Sequence, residues 1–499
     1  MAKKPFQEQT RRQFIGTTGT AALAFTFAPK LLFSEQPTIA TLPLKRILGK
    51  TGFKVTTLGL GGQASIQWTP NGTDPVAIIR KAYELGVNYF DTSNYYGPSQ
   101  LNYGKAFLQL GLVPGQPNYN DAKRKAIFLT SKTHIRFAKG GEHLKDVHGG
   151  TNGPDGSKTL DDVRRSLSQI FGDGNGSYPP GAYLDMVLIH NLSRMEEVDA
   201  LYEGYEDTDP SYQMIGALAA LRDVRDGSNL TGLNPNKEKL IRHIGFSGHH
   251  DPAVMMEMIQ RDSQDLLDCM LVAINANDKS FCNMQHNVIP VAAAKNMGII
   301  AMKVFADGAM YTKKAEWSNT PEHVVLQVGS QDLPSGELIR YSLSIPGIHT
   351  AIIGIGQISD DPAQCQLTQN MLGAQVKSIT MTEEDRKKIE EMAAKAKGGK
   401  TNYFQKAFQE LTPPQNPMVI LCDNQSMVTF HTALAGDAAI DHYEIWRDDQ
   451  LVGKIPYTPQ TTKTPFLFID KLNKVVPKKY VLKTIDSKKR EAVTDPIQV

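Results

Sequence analysis

The sequence predicts an α/β chain: a (β/α)8 barrel followed by a small all-β, immunoglobulin-like sandwich. Three observations carry that prediction. Short β-rich runs alternate with helix-period runs eight times between residues 42 and 400. Most of these runs are continuously apolar, as strands of a parallel sheet are when both faces are covered. Beyond residue 413 the pattern changes to short strands separated by turn clusters.

The eight strands are expected at 56–60, 87–91, 126–131, 184–190, 241–247, 270–274, 299–304 and 349–353. Helix-forming segments follow at 75–85, 160–171, 252–259 and 288–295. No Gly-x-Gly-x-x-Gly follows a strand in the setting a doubly wound nucleotide fold needs, so the barrel is preferred.

Composition narrows the function classes. The 499 residues carry 54 basic and 52 acidic side chains, a net charge of +2. With 40% hydrophobic and 21% charged residues, a disordered or collagen-like chain is excluded. A near-neutral balance without a basic block argues against nucleic acid as a partner. Cys269, Cys282, Cys365 and Cys422 are widely spaced and form no Cys-x-x-Cys, so no metal ribbon or disulfide framework is expected.

Residues 1–35 stand apart. Lys3, Lys4, Arg11 and Arg12 precede an apolar stretch over 14–27, too short for a ~20-residue bilayer span but flanked like an export signal. Thr10-Arg11-Arg12-Gln13-Phe14-Ile15 resembles the twin-arginine signal. That resemblance implies export in folded form, with the translocase as a transient partner and a periplasmic or secreted destination. Ala22-Leu23-Ala24 is the clearest cleavage candidate, and it lies inside the apolar run. Left uncleaved, the segment would tether the protein to the membrane.

In a barrel of this kind the chemistry sits where strands run into the following loops. The second strand ends in Asp91-Thr92-Ser93-Asn94-Tyr95-Tyr96, the third in Ser131-Lys132-Thr133-His134, the fourth in His190-Asn191, and the fifth in Ser247-Gly248-His249. An Asp, a Tyr, a Lys and a His thus converge on one mouth.

These segments, taken in order, resemble the aldo-keto reductases. The match begins at Arg46-Ile47-Leu48-Gly49-Lys50-Thr51-Gly52, like the hairpin that closes the floor of that barrel. It continues through Leu58-Gly59-Leu60-Gly61, Val87-Asn88-Tyr89-Phe90-Asp91-Thr92, Tyr96-Gly97-Pro98-Ser99, Ser131-Lys132, Ile189-His190, His243-Ile244-Gly245-Phe246-Ser247 and Ile345-Pro346-Gly347. The resemblance implies hydride transfer between a nicotinamide and an aldehyde, ketone or sugar carbonyl. Tyr96 would give the proton, Lys132 would lower the phenol's pKa, Asp91 would hold Lys132, and His190 would orient the carbonyl oxygen. Tyr95 is the competing phenol.

The resemblance also implies a cofactor, NADH or NADPH, laid across the mouth. Gly61, Gly62, Ser247, Asn275, Met302, Lys303, Gly354, Gly356 and Asn370 fall at the expected positions. Gly248 stands where an Asn is common, Met302 replaces a stacking aromatic, and Gln366 lies near the place of the Arg that grips a 2′-phosphate. Insertions at 134–157, with His143 and His148, and at 203–213 are expected to shape the substrate pocket; the two histidines are read as solvated and no metal is expected.

Residues 401–413 read as a linker and 414–499 as the sandwich. Tyr443-Glu444-Ile445-Trp446-Arg447 and Tyr480-Val481-Leu482-Lys483-Thr484-Ile485-Asp486 resemble a fibronectin type III domain; it carries no evident catalytic cluster, so docking to a surface or protein partner, spacing, or a purely structural cap on the barrel is expected of it. The alternative from another class is a non-catalytic carbohydrate- or surface-binding barrel that carries an adhesive sandwich.

Overall fold

A computed structural model describes residues 43–142, 157–377, 381–472 and 476–499. The export-signal segment, His143 and His148 lie outside the described residues. Eight parallel strands close into a barrel: β1 (Leu58–Gly61), β2 (Tyr89–Asp91), β3 (Phe128–Thr133), β4 (Leu184–Leu192), β5 (Ile241–Gly248), β6 (Cys269–Ala273), β7 (Gly298–Met302) and β8 (Ile348–Ile353). Closure comes from β8 on β1, with Ala351 opposite Leu58 and Ile353 opposite Leu60. Every predicted strand is present, displaced by at most two residues at either end.

Helices α1 (Pro75–Glu84), α2 (Ser99–Leu110), α3 (Asp121–Lys125), α4 (Thr159–Phe171), α5 (Met195–Tyr202), α6 (Ala217–Asp226), α7 (Pro252–Gln260), α8 (Val288–Ala294), α9 (Ser335–Leu343), α10 (Gln366–Gly373) and α11 (Glu383–Lys395) surround it. Local chemistry starts two of them in the same way. Asp74 and Asp251 cap α1 and α7 through their side chains, and a proline preset for helical φ occupies the first position. The buried strand side chains and the inner helix faces form one core. At the floor, a hairpin of Lys45–Ile47 with Lys54–Thr56 turns at Gly52 in the left-handed region. It packs on the start of β7, where Lys50 N donates to Asn296 O at 2.7 Å.

Strands β9 (Gln415–Cys422), β10 (Gln425–His431), β11 (Ile440–Arg447), β12 (Gln450–Pro456), β13 (Phe466–Lys471), β14 (Lys479–Asp486), β15 (Glu491–Val493) and β16 (Ile497–Gln498) form two antiparallel sheets. Val428 and Phe430 of one sheet meet Tyr443, Ile445, Tyr480 and Leu482 of the other in a shared core. The edge strands β9 and β12 escaped the sequence pattern because few of their side chains are buried.

The stretch expected as a linker is tightly held in its first half. Thr401 and Asn402 are fully buried, Phe404 joins the barrel core, and Ala407 bridges Phe281. Asn275 and Asn402 exchange two amide hydrogen bonds of 2.9 and 3.0 Å, while Asn277 donates to Thr401 at 2.9 Å. Buried amides cannot be left unpaired without cost, so this strap is fastened over the barrel mouth. The sandwich docks beyond it: Asn287 donates to Ala435 O at 3.1 Å and accepts from Ala435 N at 2.9 Å. All four cysteines are free. Among the described residues no helix is long and apolar enough to cross a membrane.

Candidate active site

The ends of β2, β3 and β4 bring the predicted quartet together. Lys132 Nζ donates to Asp91 Oδ1 at 2.5 Å and to Thr92 O at 2.9 Å, and both charged side chains are buried. The same ammonium lies 4.7 Å from the centroid of the Tyr96 ring. Tyr96 Oη is 3.4 Å from His190 Nε2, and Ser93 Oγ is 3.5 Å from the other ring nitrogen. An irregularity in the β4–β5 ladder after Ile189, with Asn191 in the left-handed region, accompanies the placing of His190 in the mouth. Tyr95, the competing phenol, is half exposed and stands edge-on to His190 at 6.1 Å.

Electrostatics depart from the expectation for Tyr96. Burial pushes its phenol well above the usual value, and the Asp91 charge pushes the same way. Lys132 stands over the ring face, but burial and the Asp91 charge outweigh it, so the net lowering expected from the sequence is not seen. Burial raises the Asp91 pKa and lowers that of Lys132, and their mutual attraction offsets part of each shift. Burial, then the Lys132 charge, keeps the His190 imidazole neutral far below its ordinary pKa.

Two clefts meet at Tyr96. One, of about 580 Å³ including its open mouth, runs over the barrel axis and is lined by Gly61, Gly62, Met302, Lys303 and Gly354, with Leu271 and Ile353 as apolar floor. Asp91 also borders it, and its Oδ2 has no hydrogen-bond partner among the described residues. The close passage of backbone explains the glycines: a Cβ on Gly62 would meet Asp91 O at 2.6 Å, and one on Gly354 would meet Gln63 O at 2.7 Å. A flat aromatic ring fits a slot walled by these glycine backbones, so this end suits a nicotinamide.

The other expected cofactor contacts are engaged elsewhere. Ser247 Oγ donates to Ile189 O and accepts from Asn191 N. Asn275 is bonded to Lys303 O and to the strap. Asn370 donates to Ile355 O at 3.3 Å and accepts from Gln366 at 2.9 Å, fully buried. Gly356 packs towards Ile78 and does not line the cleft. Of the nine predicted positions, five border the cleft and these four do not.

The second cleft, about 1480 Å³ with its open mouth, is bordered by Tyr95, Tyr96, His190, His249, Gln67 and Trp317 among others. Among the described residues of the two insertions expected to shape it, only His134 and Ile135 border it; residues 203–213 do not, and Tyr205 Oη donates to Asp262 at 2.6 Å. His134 and His249 were visible in the sequence as strand-end residues but were not singled out. Trp317 and Phe404 carried no such signal. Asp307, in the left-handed region after β7, gathers this wall: it accepts from Lys313 at 3.1 Å, Ser318 at 3.1 Å and Tyr403 at 3.2 Å. Burial pushes its carboxyl up, but Lys303 and Lys313 outweigh that and hold it below the usual range.

A barrel with this floor hairpin, and this quartet at the ends of β2 to β4, defines a class before any comparison is made. The sequence profile of the Aldo/keto reductase family matches residues 57–398, and the chain belongs to that family. It is 46% identical over 54 residues to L-galactose dehydrogenase of Arabidopsis thaliana, spanning 10% of this chain and 17% of that protein. Pyridoxal 4-dehydrogenase of Microbacterium luteolum is 21% identical over 300 residues, 56% of this chain and 78% of the relative. D-arabinose 1-dehydrogenase of Saccharomyces cerevisiae is 24% identical over 262 residues, 50% and 62%. An aldo-keto reductase from Klebsiella pneumoniae solved with NADPH aligns at 14% identity over 71% of this chain and 96% of its own, with a TM-score of 0.42.

Proposed function

We propose that the chain is a nicotinamide-dependent oxidoreductase that interconverts a carbonyl and an alcohol, and that it works after export. The carrying observation is the junction at Tyr96, where the narrow slot, the open cleft and the Lys132–Asp91 pair all meet. Gly61, Gly62, Met302, Lys303 and Gly354 would hold the nicotinamide end of NADH or NADPH, which supplies or accepts the hydride.

Tyr96 Oη gives its proton to the carbonyl oxygen during reduction and takes it back during oxidation. The Lys132 charge beside the ring stabilises the phenolate left behind, and Asp91 holds that charge in place. With Ser93 Oγ donating to Nδ1, His190 carries its proton on Nε2 and aims it at the same oxygen. The relatives named above act on small carbonyl or sugar compounds by name, in keeping with this reading.

The test is a titration of the protein with NADH and NADPH, beside the Tyr96→Phe variant in a hydride-transfer assay at 340 nm. Tight binding with a rate loss of about 10²–10⁴ is expected. Binding of neither nucleotide favours the second reading, a recognition barrel, for which the internally bonded Ser247, Asn275 and Asn370 speak. Export by the twin-arginine route predicts that replacing Arg11 and Arg12 with lysine leaves the protein in the cytosol, as cell fractionation would reveal. The sandwich is read as a fibronectin type III-like module for docking or spacing.

A further inference from the structure

One edge of the C-terminal sandwich is left open. β9 is the outermost strand of its sheet, and among the described residues the backbone of Met418–Cys422 bonds to β10 alone. The outward N–H and C=O groups of such a stretch are a template for another strand, which proteins normally blunt with charge, proline or a bulge. The other long edge strands are blunted: β12 carries Lys454 and ends in Pro456, and β13 ends in Asp470-Lys471. β9 has Pro417 and a register irregularity only near its start. From there it reads Met418-Val419-Ile420-Leu421-Cys422, without a charge. Three of these side chains stand open, Met418 at 55%, Ile420 at 47% and Leu421 at 45%.

The barrel leaves this stretch clear. It holds the sandwich at the end beyond Phe430 and before Phe466, through Asn287 to Ala435, Gln260 to Gln460 O at 2.8 Å, and Glu257 to Lys463. Cys422 and Gln425 lie opposite one another at the far end.

The stretch is also complementary to itself. Set antiparallel about a two-fold axis through Ile420, it places Ile420 against Ile420, Met418 against Cys422 and Val419 against Leu421. Asp423, the first charge beyond, falls opposite Pro417 and meets no like charge. On the outer face the row Ile420, Met427, Ile469 runs on into the same row of the second copy, while Leu421 gains Val419 as cover. An uncharged aliphatic edge offers no cation to an anionic membrane and no aromatic face to a sugar. A strand of its own kind fits it.

We infer that β9 pairs with β9 of a second copy, joining two three-stranded sheets into one of six strands. A contact five residues long spans about 17 Å at ~3.3 Å per residue. That falls short of the ~800 Å² per partner of a stable interface, so the dimer is reversible. It gives the sandwich a partner and does not depend on the chemistry of the barrel.

The experiment is sedimentation velocity of the full chain from about 1 to about 100 µM, where a monomer–dimer equilibrium is expected. Ile420→Lys sets two like charges opposite one another and should weaken the dimer at least tenfold. Leu467→Lys, at a 50% exposed site on the far strand β13, should leave it unchanged. Register has its own test. In Met418→Cys the new thiol faces Cys422 of the second copy at ~4.5–5.5 Å between Cα atoms, within disulfide range. Copper–phenanthroline oxidation should then give a covalent dimer on a non-reducing gel, and none from the unaltered chain. Thermal melts verify that the variants fold, and the cross-link decides if Ile420→Lys does not. A monomer throughout, a dimer that survives Ile420→Lys, equal loss on Leu467→Lys, or no cross-link each overturns the inference.

Discussion

Tyr96 must hold a proton at neutral pH and yet be able to release it, and its surroundings favour holding. Burial and Asp91 both raise its pKa, while His190 stays neutral for the same reason of burial. The free enzyme is therefore in its proton-donating form over the whole range in which most proteins are stable. Carbonyl reduction should show no titration between about pH 6 and about pH 9, since neither group changes state there. Alcohol oxidation needs the phenolate and should climb with pH across that window without a plateau. Initial rates in both directions against pH check this, and a reduction limb falling near pH 6.5 would contradict a neutral His190. Lys132 carries a second prediction. Lys132→Met strands the Asp91 charge in the core and should cost about 3–5 kcal/mol in a urea melt, most of it recovered by adding Asp91→Asn.

Among the elements, the strap over 401–407 is the one that most changes the view of the site. Its anchor includes Asp278, wholly buried, whose carboxyl burial raises to about 7 while Gln405 and Met284 donate to it. The folded state thus binds this proton more tightly than the unfolded chain, where an Asp titrates near ~3.9. Stability from this group is fully present below about pH 4 and is lost as pH rises through about 7, on the order of 4 kcal/mol. Asp278→Asn should flatten that slope, as chemical melts at pH 5 and pH 8 would register. The fastening also explains why Asn275 is not offered to a ligand: its amide is shared with Asn402 and Lys303 O.

For the whole molecule, the barrel and the C-terminal part are joined through the strap before the sandwich begins. A chain ending at Pro413 keeps Thr401, Asn402 and Gln405; one ending at Lys400 strips the partners from Asn275, Asn277 and Asp278. With about 1–3 kcal/mol for each buried group left unpaired, the shorter chain should be several kcal/mol less stable in urea than the longer one. Equal midpoints would show that the strap adds nothing to the barrel.

The sequence by itself determined the barrel, its floor hairpin and the convergence of Asp91, Tyr96, Lys132 and His190. In a closed parallel barrel all strands end at the same rim, so reading strand ends in order already places those residues together. The tertiary structure alone decided what each polar group bonds to. Ser247, Asn275 and Asn370 sit at the expected positions, yet neighbours distant in sequence, or one strand over, have claimed their donors and acceptors. Trp317 and Phe404 come from a loop and a strap that no periodicity marks, and they reach the mouth through contacts with His249 and the Asp307 hub. Burial decided the rest, because the rise in the Tyr96 pKa depends on how much water the packed mouth excludes and on the Asp91 charge buried beside it.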